Sequence, residues 1–242
     1  MSDPRIVRVV LDRPDRANAL DPATVERLHV ALTEADDADV IVLEARGRSF
    51  CAGLDLADVD DETDATLLLR LVRVQLLLER VRDSRALVVA VVQGAAVGAG
   101  ADLVLAAHVR LALPGASLRF PGSGFGAVLG TSRLAAETSA SYAAELGLTG
   151  RRVDRADAAA AGIWSSMETL EDVEARLDRL AASSALLPGP TGVRLRAAAA
   201  GSSSRDPLGD LVRSLASEPG LADRVRAYRH RSLTRTPEGA SA

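Results

Sequence analysis

The sequence predicts an α/β domain, and three observations carry that prediction. Short β-branched apolar runs at residues 6–11, 38–44, 87–92 and 109–112 alternate with longer stretches of helical spacing. Two of these runs lead into glycine-bearing turns, Phe50-Cys51-Ala52-Gly53-Leu54-Asp55-Leu56 and Gln93-Gly94-Ala95-Ala96-Val97-Gly98-Ala99-Gly100-Ala101-Asp102-Leu103, which head towards helical patterns. With 242 residues, of which 48% are apolar, the chain can bury one large core.

The elements follow in order. Residues 6–11 read as a strand. Asp21 is a good N-cap and Pro22 suits the first helical position, so a helix follows with Val25, Leu28, Leu32 and Ala35 on one face. A strand at 38–44, a loop at 47–55 and a long amphipathic helix at 67–81 come next. Residues 87–92 are apolar throughout, as expected of a strand buried on both faces. Residues 101–107 read as a buried helix and 109–112 as a strand. The stretch 118–130, rich in glycine and carrying one proline, reads as loop. Helical patterns occupy 132–146, 156–161, 170–182 and 207–215, and residues 197–205 read as a helix end and mobile loop. The expected division is a core at 1–185, a C-terminal helical region at 186–231 and a disordered tail at 232–242.

Composition narrows the function. All 29 basic residues are arginine, which excludes lysine Schiff-base chemistry and a phosphate-loop lysine. A net charge of −4 with 2% aromatic residues argues against a nucleic-acid surface. Cys51, the single cysteine, excludes an intrachain disulfide framework and reads as small packing rather than a nucleophile. His29, His108 and His230 lack metal-ligand spacing, so no metal is assigned. No serine sits in a G-x-S-x-G elbow. No apolar run reaches membrane-spanning length and Met1-Ser2-Asp3-Pro4 shows no signal region, so a soluble cytoplasmic protein with no membrane partner is expected.

The two glycine turns resemble the F-C-A-G-x-D-L and N-G-x-A-x-G-G-G-x-E-L segments of the enoyl-CoA hydratase/isomerase (crotonase) superfamily. Residues 11–20, Leu-Asp-Arg-Pro-Asp-Arg-Ala-Asn-Ala-Leu, resemble its L-N-R-P-x-x-x-N-A-L segment. Leu148-Thr149-Gly150-Arg151-Arg152, with Ala156-Asp157-Ala158 and Gly162-Ile163, resembles its L-T-G-x-x…A-E-A-x-x-x-G-L segment. The four matches lie in register between about residue 6 and about residue 167. Residues 218–228 resemble the family's last helix only loosely.

The resemblance implies a crotonase-like spiral of repeated β-β-α units followed by a C-terminal helical trimerisation region. It implies a coenzyme A thioester as substrate, no tightly bound cofactor, and a homotrimer or hexamer. It makes the N–H groups of Leu54 and Ala99 the oxyanion donors and puts Asp102 at the family's first catalytic glutamate, one methylene shorter. An acid in a helix's first turn also suits the dipole without any catalysis, and the two readings of Asp102 stand side by side. The second catalytic glutamate falls on Gly122, followed by a shortened loop, which argues against ordinary two-acid hydration and against an isomerase shuttle through that position. Asp58, Asp60, Asp61 and Glu62 read as a solvated charged loop and Glu137 as a surface helix residue. For coenzyme A, Arg16 falls near the phosphates, Ala17 and Ala19 line the same turn, and Ala52, Gly53, Asp55 and Leu56 border the adenine and pantetheine end. Hydration, isomerisation, decarboxylation and thioester hydrolysis stay open. The alternative is a catalytically silent homologue that binds acyl-CoA or scaffolds a partner.

Overall fold

The computed structural model describes residues 4–127, 129–187, 191–199, 207–216 and 220–234. Strand β1 (Ile6–Leu11) leads through a tight turn into α1 (Pro22–Glu34), capped as the sequence predicts: the Asp21 carboxylate accepts the Thr24 N–H at 2.7 Å. Strand β2 (Val40–Ala45), α2 (Asp64–Arg82) and β3 (Leu87–Val92) follow. Thr63 and Thr66 start α2 by exchanging hydroxyl–backbone hydrogen bonds. Beyond β3 lie β4 (Ala95–Val97), α3 (Ala99–Ala106), β5 (Val109–Ala112) and β6 (Ser117–Arg119). The second half is mostly helical: α4 (Thr131–Glu137), α5 (Ala140–Thr149), β7 (Arg152–Asp154), α6 (Arg155–Ala160), β8 (Ser165–Ser166), α7 (Leu170–Ala185), α8 (Thr191–Ala199), α9 (Pro207–Ala216) and α10 (Leu221–Thr234).

Five parallel strands form the main sheet in the order β1-β2-β3-β5-β8. Strand β4 pairs parallel with β6, and β6 antiparallel with β7, in a second sheet of three. The period-2 geometry of a strand explains the continuous apolar runs. Val40 and Val42 of β2, with Val89 and Val91 of β3, pack beneath Val173, Leu177 and Ala181 of α7. The alternate residues Ile41, Leu43, Val88, Ala90 and Val92 face the opposite cluster built with α1, α2 and α3. A third cluster joins Leu67 and Leu71 of α2 to Leu211 and Leu215 of α9 and to Leu221, Ala222 and Val225 of α10. The Asp64 carboxylate reaches across to accept the Gly220 and Ala222 N–H groups, fixing the start of α10 on the start of α2.

Several expectations change. The run 118–130 is not all loop, because β6 ends within it and Pro121–Phe125 form a 3-10 helix. The helix expected at 132–146 is two, broken at Thr138 (φ −130°, ψ −98°), with the Ser139 hydroxyl capping α5 on the Tyr142 N–H. Strands β4, β7 and β8 are too short for a periodic signal. Helix α8 accounts for residues 197–199, and the rest of the expected mobile loop lies outside the described residues. The tail expected from residue 232 starts instead as the last turn of α10, and 235–242 lie outside the described residues.

The acidic stretch after the first glycine turn is not simply solvated. Glu62 pairs with Arg70 at 2.7 Å, Asp60 pairs with Arg229, and Arg226 donates to the Val59, Asp60 and Glu62 carbonyls. The arginines of α10, distant in sequence, claim those groups. Glu137 is half-buried and pairs with Arg110 at 2.6 Å, so it too is more than a surface residue.

Candidate active site

The site begins where the two glycine turns meet. The Phe50 and Cys51 N–H groups donate to the Ala95 carbonyl, and Val97 N–H donates to the Cys51 carbonyl at 2.9 Å. This pairing brings the backbones closer than side chains would allow. A Cβ on Gly53 (φ +87°) would lie 2.5 Å from the Val97 oxygen and 3.3 Å from the Ala99 nitrogen. A Cβ on Gly100 would lie 2.3 Å from the Cys51 oxygen.

Ala99 is the first residue of α3, so its N–H has no acceptor within the helix. Among the described residues neither that N–H nor the Leu54 N–H finds a protein acceptor. Both residues line one cavity of about 300 Å³. The described non-glycine residues with positive φ are Ala17 and Asn18 alone, so Ala99 has ordinary helical backbone and alanine fits there without strain.

Asp102 sits one turn further along α3, 4% exposed, on the wall of the same cavity. Its Oδ1 is buried without a hydrogen-bond partner. Burial pushes its carboxyl up to about 7, against the opposing pull of the positive Arg133. It is the one carboxylate among the described lining residues. Gly122 lines the cavity from the 3-10 segment and brings no acid. The remaining wall is largely apolar, with Phe120, Leu129 and Leu134 among its members. Tyr228 of α10 closes one side, its ring edge-on to Phe125 at 5.3 Å.

Of the other residues singled out in the sequence, Ala52, Gly53 and Leu56 line the cavity, while Arg16, Ala17, Ala19 and Asp55 do not. Arg16 is exposed on the turn before α1. That turn is seated against the first glycine turn, since Ala52 N–H donates to Ala17 O and Leu20 N–H to Gly53 O. Asp55 is engaged by Arg13 at 3.0 Å and by the Ala57 N–H. Cys51 is buried with its thiol pushed up to about 12 by desolvation, which leaves it inert as a nucleophile. His108 is a structural pin: Nδ1 accepts the Val88 N–H, leaving Nε2–H for the Arg82 carbonyl, and burial holds it down to about 4. Among the described residues no three His, Cys, Asp or Glu side chains could hold a metal ion, and no helix is long and apolar enough to cross a membrane.

Sequence reasoning missed Tyr228, Phe125 and Arg133. Phe125 lay in a stretch read as loop, Tyr228 in a loosely matched helix, and Arg133 in the stretch read as a shortened loop.

The α/β fold thus encloses a largely apolar cavity with two backbone N–H groups that find no acceptor among the described residues and one buried acid, and known enzymes share this fold. Residues 3–189 match the enoyl-CoA hydratase/isomerase family. A probable enoyl-CoA hydratase, echA6, of Mycobacterium bovis is 32% identical over 176 residues, 70% of each chain. Its Mycobacterium leprae counterpart is 36% identical over 131 residues, so the match spans about half the length of each. The crystal structure of a protein described as an enoyl-CoA hydratase/isomerase, from Bordetella parapertussis, superposes with a TM-score of 0.87 at 32% identity, covering 98% of both chains. The chain belongs to the enoyl-CoA hydratase/isomerase family and has its crotonase-like fold.

Proposed function

We propose that this chain binds an acyl-coenzyme A thioester, holds the thioester oxygen between the Leu54 and Ala99 N–H groups, and moves the α-proton with Asp102 alone. The observation that carries the reading is the meeting of those two unclaimed N–H groups and one buried carboxyl on the same wall. As the α-proton leaves, negative charge collects on the carbonyl oxygen, and donors already in place stabilise it; removing one such donor elsewhere costs about 3 kcal/mol. The first turn of α3 adds its positive end.

With its carboxyl near 7, Asp102 is available at neutral pH both as a base to accept the α-proton and as an acid to return it. A second acid would be needed to activate water, and Gly122 supplies none. Chemistry at the α-carbon through one acid is therefore favoured over ordinary hydration, and this is the sense in which the chain is a divergent family member. Coenzyme A would lie along Ala52, Gly53 and Leu56, with Arg16 outside the cavity facing its phosphates. Arg13 holds Asp55 in place beneath, with Ala17 and Ala19 forming the turn. We assign residues 1–185 to this core and the helices after it to closing the cavity and assembly into a homotrimer or hexamer. Tyr228 on the cavity wall supports the first role.

The test is mass spectrometry of a panel of acyl-CoA esters incubated with the protein in deuterated water. Deuterium at the α-carbon is the expected product, and added water, lost carboxylate or free coenzyme A would each name a different reaction. An unchanged panel in the presence of saturable ester binding would replace this reading with the catalytically silent one.

A further inference from the structure

We propose that a second cavity, at the C-terminal end of α3, is a binding site for a small oxyanion, a carboxylate or phosphate group gripped by Arg133 and Arg196. Helix α4 separates it from the first cavity: Thr131 and Leu134 line one, and Arg133 and Glu137 line the other. Its volume is about 280 Å³, several times the ~30 Å³ share of one water in the liquid.

The protein buries donors there that it does not use. Arg133 is only 8% exposed, and its Nε and Nη1 have no hydrogen-bond partner among the described residues. Nor does it form an ion pair among them: Asp102, the acid whose charge acts on it most, lines the first cavity on the other side of α4, and the remaining nearby acids are engaged elsewhere. Glu137 is held by Arg110, Asp83 by Arg82, and Glu79 accepts the Gln75 amide at 2.9 Å. Arg196, reaching in from α8, gives Nη2 to the Arg85 carbonyl and leaves its buried Nε unused. Arg110 is committed to the Ile163, Leu105 and Ala107 carbonyls as well as to Glu137. His108 spends both ring nitrogens on backbone groups, so it neither adds charge nor competes for an anion.

Arg133 and Arg196 thus both line the cavity and keep buried guanidinium N–H groups that no described residue accepts, while Glu137, the acid among the described lining residues, is already paired. A buried guanidinium with unmet donors is costly, and its fork matches planar carboxylate or tetrahedral phosphate oxygens. Arg133 also acts through its charge on the Asp102 carboxyl, but the cavity it lines here is a separate one, and the inference stands whether or not the α-proton reading holds.

The test uses the full chain and inorganic phosphate, with chloride at matched ionic strength. Phosphate is expected to raise Tm saturably beyond chloride and to give a one-site isotherm by titration calorimetry. Arg133→Gln and Arg196→Gln are each expected to weaken that binding by ~10-fold or more. Arg196→Gln, on a less buried helix, answers the question even where Arg133→Gln fails to fold. Equal shifts in phosphate and chloride would overturn the proposal. So would phosphate affinity unchanged in the variants, which would put the anion elsewhere. An Arg133→Gln protein whose sedimentation changes while wild type ignores phosphate would assign these donors to a second copy of the chain and also overturn it.

Discussion

The Asp102 carboxyl lies directly against the Cα of Gly130: a Cβ on that glycine would fall 1.7 Å from Oδ1. No other residue fits at the start of α4 while the acid stays where it is. Gly130→Ala is expected to displace the carboxyl, lowering α-proton exchange by roughly 10² while costing about 1–3 kcal/mol of stability. Exchange rates and urea unfolding on the same variant check both numbers. Full activity in Gly130→Ala would show that the position of Asp102 is immaterial.

Asp102→Asn is expected to abolish exchange, by ~10²–10⁴, while leaving saturable ester binding in place. Loss of binding together with turnover would instead mark Asp102 as structural.

The same carboxyl sets a pH dependence. Because burial raises it to about 7, the folded chain keeps a proton that the unfolded chain has already released above the ordinary carboxylate range. The stabilisation is complete at low pH and is lost as pH rises through about 7. Wild type should therefore lose stability between roughly pH 4 and 7 through this group, and Asp102→Asn should lack that part of the slope. Urea midpoints at pH 4.5, 6 and 8 for the two proteins measure it, and parallel profiles would contradict the assignment.

Ala99 offers a way to delete a single backbone donor. Proline is well tolerated at the first position of a helix, where its missing N–H has no helical role. Ala99→Pro is expected to cut turnover by ~10²–10³ with the fold kept, as judged by circular dichroism and Tm. Unchanged turnover in a folded variant would remove Ala99 from the mechanism.

Asn18 is 1% exposed and adopts φ +56°, with its side chain bonded to the Arg13 N–H and the Arg46 and Ser49 carbonyls. Asn18→Ala removes all three bonds and puts alanine in a left-handed conformation. A loss of about 2–4 kcal/mol is expected, with weaker ester binding because the turn backs Ala52 and Gly53. Asn18→Gly should recover only the conformational part, a difference that chemical denaturation resolves.

Strands β1, β2, β3 and β5 were legible because their β-branched apolar runs are long enough to register, and the Asp21-Pro22 cap marked the start of α1 to the residue. Strands β4 and β8 were not, since two or three residues carry no period and their partners are set by tertiary contact. The wall of Leu54, Ala99 and Asp102 was reachable only through the family resemblance, for glycine turns alone cannot say which backbones will meet. The anchoring of α10 was invisible: an Asp60–Arg229 or Asp64–Gly220 contact spans most of the chain, and spacing along a sequence says nothing about it.

That anchoring bears on how the protein comes into being. Tyr228, which closes the first cavity, emerges from a ribosome after every other described residue of that wall. At ~5–20 residues per second, the wall formed by Gly53, Ala99 and Asp102 waits several seconds for its final side chain. A nascent chain that has not yet reached α10 thus presents an open groove, and one that carries Tyr228 in place presents a pocket.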